Sequence, residues 1–256
     1  MQSKSSRISI GDAIAFADVP FANAEFVAVP ELNTIPLPTA ISFEIAAAVL
    51  LQGLTAHYLT HDSFNVKQGD TVLIQAASGG VGQFLTQICK MKGAKVIGLT
   101  RTKNKLQTIL NNKADYAIKL DQNWLAKILE LTNNKGVDVV FDSVGSTLED
   151  SFVVTKEKGT AVFYGMSGGD PAFINPRMLM DTSKTLTGGD LWSYLTSKEE
   201  RIRRANQLFE WIISGKITLS DPVKFKLSEG KKAHEFLENG KSSGKVLLIP
   251  DEVKLS

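Results

Sequence analysis

Thr71-Val72-Leu73-Ile74-Gln75-Ala76 is a near-continuous apolar run that breaks into Ala77-Ser78-Gly79-Gly80-Val81-Gly82, and this junction constrains the fold more than any other feature. An uninterrupted apolar strand has both faces buried, the mark of a parallel sheet covered by helices. Glycines placed straight after it permit a tight turn. The helix that follows, over about Val81 to Lys92, presents outward-facing N–H groups and the positive end of its dipole. Together these parts build an anion cradle. The spacing Ala76-x-x-Gly79-x-x-Gly82, with an added Gly80, is a variant of the dinucleotide-binding fingerprint.

The rest of the central chain repeats the same unit. Strands are expected at Lys95–Leu99, Tyr116–Leu120, Val137–Asp142 and Thr160–Gly165, alternating with helices at Thr102–Asn112 and Trp124–Thr132. Such alternation gives an α/β fold with a doubly wound parallel sheet and right-handed crossovers. On these residues alone, two lesser readings of the glycine turn remain. One is a turn needed only for close packing, and the other is the similar loop of S-adenosylmethionine methyltransferases. The end of the second strand bears on both. An NAD site places Asp or Glu there for the ribose 2′-hydroxyl, and methyltransferases use an acid there too. Here the stretch reads Leu99-Thr100-Arg101-Thr102-Lys103-Asn104-Lys105, with no acid and three cations. Cations at a helix start oppose its dipole, so a bound anion explains them better than a solvated surface does. A 2′-phosphate suits them, which favours NADP(H) over NAD(H).

Both chain ends have a different texture. Residues 1–44 read as β and loop, with Phe26-Val27-Ala28-Val29-Pro30 as a short strand and Ile35-Pro36-Leu37-Pro38 extended. Ser42 is placed to N-cap a helix over Phe43–Tyr58. Further on, Ser197–Ser214 reads as a charged amphipathic helix, Val223–Leu227 as a strand, Glu229–Glu238 as a helix and Lys245–Pro250 as a closing strand. The balance of 29 basic against 27 acidic residues gives no electrostatic footprint for nucleic acid or anionic lipid. No apolar run approaches the roughly 20 residues of a membrane span, and Met1–Arg7 lacks the apolar core of a secretory signal. A cytoplasmic protein is expected. The single cysteine, Cys89, permits neither a disulfide framework nor a cysteine-rich zinc site.

Four motifs in order carry a resemblance to a known family. They are Gln52-Gly53-Leu54-Thr55-Ala56-His57-Tyr58-Leu59, Ala77-Ser78-Gly79-Gly80-Val81-Gly82, Asp138-Val139-Val140-Phe141-Asp142-Ser143-Val144-Gly145 and Gly244-Lys245-Val246-Leu247-Leu248-Ile249-Pro250. From Gly11-Asp12 to Pro250 the chain resembles the zinc-independent, zeta-crystallin-like quinone oxidoreductases of the medium-chain dehydrogenase/reductase superfamily. The resemblance implies a Rossmann domain over residues 45–215. It also implies a GroES-like β domain built from both chain ends, residues 1–44 and the return segment 216–256, with the active cleft between the two. It implies NADPH-dependent reduction of a quinone or similar conjugated carbonyl by a homodimer. Carried over by position, Ser78, Gly79, Gly80 and Val81 would hold the pyrophosphate, and Arg101 and Lys105 the 2′-phosphate. Gly165 and Met166 would border the nicotinamide ribose and Leu191 the carboxamide, Thr55 would sit on the helix facing the nicotinamide, and Lys245 would be a cofactor-side lysine. Leu120 stands where the family stacks an aromatic ring on adenine.

Relatives begin with a longer GroES-like stretch, so the β domain is expected to be incomplete and its exposed edges to promote self-association. Besides the quinone reductase, two alternatives follow. One is a catalytically impaired NADPH-binding or regulatory protein, and the other is an enoyl-type reductase of the same superfamily. No catalytic residue and no metal site is assigned. His57 and His61 are expected to be structural, Cys89 to be a small buried hydrophobe, and Arg201, Arg203 and Arg204 to pair with glutamates on a solvated helix face. Trp192 and Tyr194 are expected in packing or an interface, with quinone stacking as the competing role.

Overall fold

Val72, Leu73 and Ile74 are fully buried, yet they feed two different cores. Val72 and Ile74 pack with Leu85, Ile88 and Cys89 on one face, whereas Leu73 packs with Ile97, Trp124 and Ile128 on the other. Period-two alternation inside an all-apolar run is what a sheet buried on both faces requires. The structure is a computed structural model, and it describes residues 8–239 and 244–251. The Met1–Arg7 segment read above as lacking a leader lies outside the described residues.

In chain order the elements are β1 (Ile14–Ala15), β2 (Ile35–Pro36), α1 (Phe43–Tyr58), β3 (Thr71–Ile74), α2 (Gly80–Met91) and β4 (Lys95–Thr100). They continue with α3 (Leu106–Asn111), β5 (Tyr116–Lys119), α4 (Trp124–Leu131), β6 (Val137–Asp142), α5 (Leu148–Val154) and β7 (Thr155–Phe163). Last come α6 (Pro176–Thr182), β8 (Thr185–Gly188), α7 (Lys198–Ile213), β9 (Val223–Lys226), α8 (Gly230–Glu238) and β10 (Val246–Ile249). Strands β3 to β8 form one six-stranded sheet in the order β5-β4-β3-β6-β7-β8, with every pairing parallel. Growth reverses at β3, which pairs with β4 on one side and β6 on the other. The crevice above that switch point is where such sheets bind ligands.

The chain ends contribute two small sheets, β1 antiparallel to β2 and β10 parallel to β9. They lie against α1, whose start is fixed as expected: the Ser42 hydroxyl accepts the N–H of Ile45 at 3.2 Å. No strand forms at Phe26–Pro30, where the backbone has no sheet partner among the described residues. β propensity becomes a strand only when a neighbour completes the ladder.

Two other expectations shift. The single helix at 102–112 is a 3-10 turn over Lys103–Lys105 followed by α3, and Lys103 and Lys105 oppose the dipole of what would have been its first turn. The strand expected from Thr160 begins at Thr155, through an irregular register opposite Val137–Val139 with Lys158 at a φ of 61°. The helices α5 and α6 and the edge strand β8 carry no clear periodic signal. On α7, Arg203 and Arg204 pair with Glu200 as expected, but only Arg203 of the three arginines is solvated. Arg204 is buried against Asp62 and His57, and Arg201 reaches Asp18 near the chain start.

Candidate functional site

The glycine turn is held open by its own backbone. Ala76 takes a positive φ of 50°, and the N–H of Gly79 donates back to its carbonyl at 2.9 Å. Gly82 then packs onto the turn so closely that a Cβ there would fall 2.6 Å from the Ala76 oxygen and 2.6 Å from the Ala77 Cα. Only glycine permits that approach. Ser78 is buried, its hydroxyl 3.3 Å from that of Thr100, and its carbonyl accepts the side-chain amide of Gln83 at 3.0 Å. Helix α2 starts at Gly80 with no side-chain cap and no acid in its first turn. Its leading N–H groups therefore face the crevice without an intrahelical partner, in the positive field of the helix end.

The opposite wall is built from the ends of β6 and β7. The buried Asp142 carboxylate accepts the N–H groups of Val144 and Gly145 and the hydroxyls of Thr147 and Ser151, which fixes the loop after β6. The loop after β7 zips onto it. The Ser143 carbonyl accepts the N–H of Ser167 at 3.0 Å, and the Val144 carbonyl accepts that of Gly168 at 2.8 Å. Gly165 therefore passes directly over Ser143, and Met166 is left exposed at the mouth.

Phe163, Tyr164, Gly165, Met166, Asp190 and Tyr194 line a cleft of about 570 Å³ between β7 and the segment after β8. Tyr58, at the end of α1, stacks on Tyr194 with ring centroids 4.5 Å apart. Burial pushes the Tyr58 and Tyr164 phenols well above their ordinary range, so both are neutral hydrogen-bonding groups and not bases. Trp192 stays half exposed outside this stack.

The residues singled out from sequence converge unevenly. Ser78, Gly79, Gly80 and Val81 form one wall of the crevice, and Gly165 and Met166 lie on the other. Arg101, at the end of β4, is exposed and reaches across to Gly168. Lys105 sits half-buried at the start of α3. Lys245 is half-buried just ahead of β10, and burial lowers the pKa of its ammonium. It shares a narrow crevice with Gln52 and Gly80.

Thr55 lies one turn further along α1, with its hydroxyl donating to the carbonyl of Leu51 at 2.7 Å. Leu191 turns into the main core, and its neighbours Asp190 and Ser193, not Leu191 itself, line the cleft. Sequence reasoning did not single out Gln52 or Gly168. The amide of Gln52 lies where a Cβ on Gly80 would stand, a contact between distant parts of the chain with no local signal. Among the described residues no group of three or more His, Cys, Asp or Glu side chains is placed to hold a metal, and no helix is long and apolar enough to cross a membrane.

Comparison with known proteins agrees with this architecture. The zinc-binding dehydrogenase family profile matches residues 80–211. Quinone oxidoreductase 1 of Escherichia coli strain K12 is 38% identical over 219 residues, covering 84% of this chain and 67% of that protein. A mycobacterial structure solved in complex with NADPH superposes with a TM-score of 0.90 at 35% identity, covering 95% of this chain and 76% of that one. A 2-haloacrylate reductase from a Burkholderia species is 33% identical over 208 residues, covering 80% of this chain and 62% of that protein. With a profile matching more than half its length and relatives at these identities, the chain belongs to the zeta-crystallin-like quinone oxidoreductases of the medium-chain dehydrogenase/reductase superfamily.

Proposed function

We propose that the chain is an NADPH-dependent reductase that passes a hydride to a quinone or similar conjugated carbonyl. In this reading residues 45–215 bind the cofactor, and residues 1–44 and 216–256 supply the catalytic side. The observation that carries it is the crevice at the switch point: an uncapped start to α2 on one side, and Arg101, Lys103 and Lys105 after β4 where an acid would mark NAD. Those donors fit a pyrophosphate and a further phosphate. The E. coli and mycobacterial relatives support the assignment through their names and the bound NADPH.

Ser78, Gly79, Gly80 and Val81 hold the pyrophosphate, and Arg101 and Lys105 form the cationic side of the crevice. Gly165 and Met166 border the nicotinamide-side ribose, and the segment around Leu191 faces the carboxamide. Thr55 and Lys245 approach from α1 and β10. Bound NADPH supplies the hydride. The chain's own contribution is orientation, proximity and exclusion of water around that transfer, and no side chain is assigned as a proton donor. The haloacrylate-reducing relative supports a conjugated acceptor as the wider substrate class, which includes enoyl-type reduction.

A second reading, a nucleotide-binding protein that turns over poorly, is favoured by one observation. Lys245 also lines an apolar groove of about 490 Å³ between the chain start, α1, α8 and β10, which leaves the catalytic side open. Titration with NADPH and NADH, followed by NADPH oxidation in the presence of 1,4-benzoquinone, separates these readings. The first predicts preferential NADPH binding with turnover, and a preference that shrinks in the Arg101→Ala/Lys105→Ala double variant. Binding without turnover supports the second reading. No binding of either dinucleotide sinks both.

A further inference from the structure

Arg101 leaves the end of β4, on one side of β3, but its guanidinium does not stay there. A Cβ built on Gly168 would fall 2.6 Å from Arg101 Nη2, 2.6 Å from Val144 Cγ1 and 2.9 Å from Ser146 Oγ. Val144 and Ser146 follow β6 and Gly168 follows β7, both on the far side of β3. The side chain therefore reaches past the end of β3, across the switch-point crevice, to the loops after β6 and β7. Its guanidinium makes no hydrogen bond or ion pair among the described residues. A free planar fork held across an uncapped helix start places positive charge on both sides of the same gap, an arrangement that an anion between them resolves.

We propose that Arg101 grips the part of the dinucleotide common to NADPH and NADH, the pyrophosphate and its neighbouring ribose. In this arrangement Gly168 is a positioning residue whose missing Cβ leaves the berth for the guanidinium, and discrimination by the 2′-phosphate falls to Lys105. This division of labour rests on the cofactor reading above. It goes beyond that reading by separating two cations, four positions apart, that the sequence presents as equivalent. The end of β4 is one strand away from the loops that the guanidinium reaches, whereas Lys105 starts α3 on the β4 side of the sheet.

The test is equilibrium titration of tryptophan fluorescence with NADPH and with NADH, for the wild type and four variants. Arg101→Ala is expected to weaken both dinucleotides about tenfold, leaving their ratio within about twofold, as loss of one charge-assisted contact implies. Lys105→Ala is expected to weaken NADPH alone. Gly168→Ala is expected to weaken both, and Gly168→Ala/Arg101→Ala to bind no worse than Arg101→Ala. An Arg101→Ala variant that loses NADPH but keeps NADH overturns the proposal, as does one that loses neither. A Gly168→Ala cost that persists without the arginine overturns the positioning role. Should Gly168→Ala fail to fold, the comparison of the two cation variants decides alone. Failure of the underlying reading looks different: a wild type that binds neither dinucleotide, or prefers NADH, and the proposal then falls with it.

Discussion

His57 shows how much a single side chain is settled by its surroundings. Its Nε2–H donates to Gln207 Oε1 at 2.6 Å, and its Nδ1 accepts from Arg204 Nη1 at 3.2 Å. Its ring stacks on His61 with centroids 4.3 Å apart. Burial, reinforced by His61 and Arg204, lowers its pKa from 6.5 to about 4 despite the hydrogen bond to Gln207. The folded protein therefore keeps His57 neutral where the unfolded chain would bind a proton. Its contribution is complete above pH 6.5, declines as pH falls towards 4 and is gone below that, a difference of roughly 3 kcal/mol for a shift of this size. Thermal melts from pH 7 to pH 4 should show the wild type losing stability more steeply than His57→Gln, and parallel curves would refute the assignment. The four-residue spacing of the two histidines was legible in the sequence, and so was their structural role. Arg204 was not: an i,i+4 pairing with Glu200 looks the same on a solvated face as on one buried under Asp62, and only the packing of α7 against α1 distinguishes them.

At the scale of an element, the strand-turn-helix unit of β3 and α2 was legible because every local signal in it points the same way. The apolar run, the glycines and the amphipathic helix each demand the same geometry, and Gly82 shows how tightly. A methyl group there would overlap the Ala76 carbonyl and the Ala77 backbone, neither of which is a flexible side-chain end. Gly82→Ala is expected to destabilise the protein by about 1–3 kcal/mol and to cut NADPH affinity more than about tenfold by turning the α2 N–H groups away from the crevice. A calorimetric melt and a titration on the same sample measure both effects, and wild-type values in either would show that the turn relaxes freely. Other elements were illegible for equally physical reasons. β8 is a four-residue edge strand whose Thr185-Leu186-Thr187-Gly188 sequence is largely exposed, so nothing forces it to alternate. β7 begins in the charged run Lys156-Glu157-Lys158, where Lys156 pairs with Asp138 of β6 and the ladder slips before the apolar part starts. Phe26–Pro30 failed in the opposite sense, because strand-forming residues without a neighbouring strand form none.

Among the described residues, the chain segments before and after the large sheet flank one groove as two separate small sheets. β1 and β2 pair through two residues each, β9 and β10 through four, and α1 lies between the two pairs. The apolar groove of about 490 Å³ beside them is lined by Ala46, Leu50, Leu247 and Leu248 and by the exposed Phe43, and Phe21 and Phe26 are exposed elsewhere in the chain before α1. Apolar surface of this kind, next to strand edges with unpaired N–H and C=O groups, drives association when no other layer covers it. The far edge of the large sheet adds a second exposed surface at β8, where Leu186 is partly exposed to solvent. Sedimentation velocity over a concentration series should therefore detect species heavier than a monomer. The two surfaces are separable by substitution. If the groove side dominates, Phe43→Ser should raise the monomer fraction and Leu186→Lys should leave it unchanged; if the sheet edge dominates, the reverse holds. The groove is lined largely by aliphatic and aromatic side chains, whereas half of the four-residue β8 edge is threonine, so Phe43→Ser is expected to have the larger effect. A wild type that stays monomeric throughout the series would mean that neither surface associates, and that the exposed phenylalanines are tolerated as they stand.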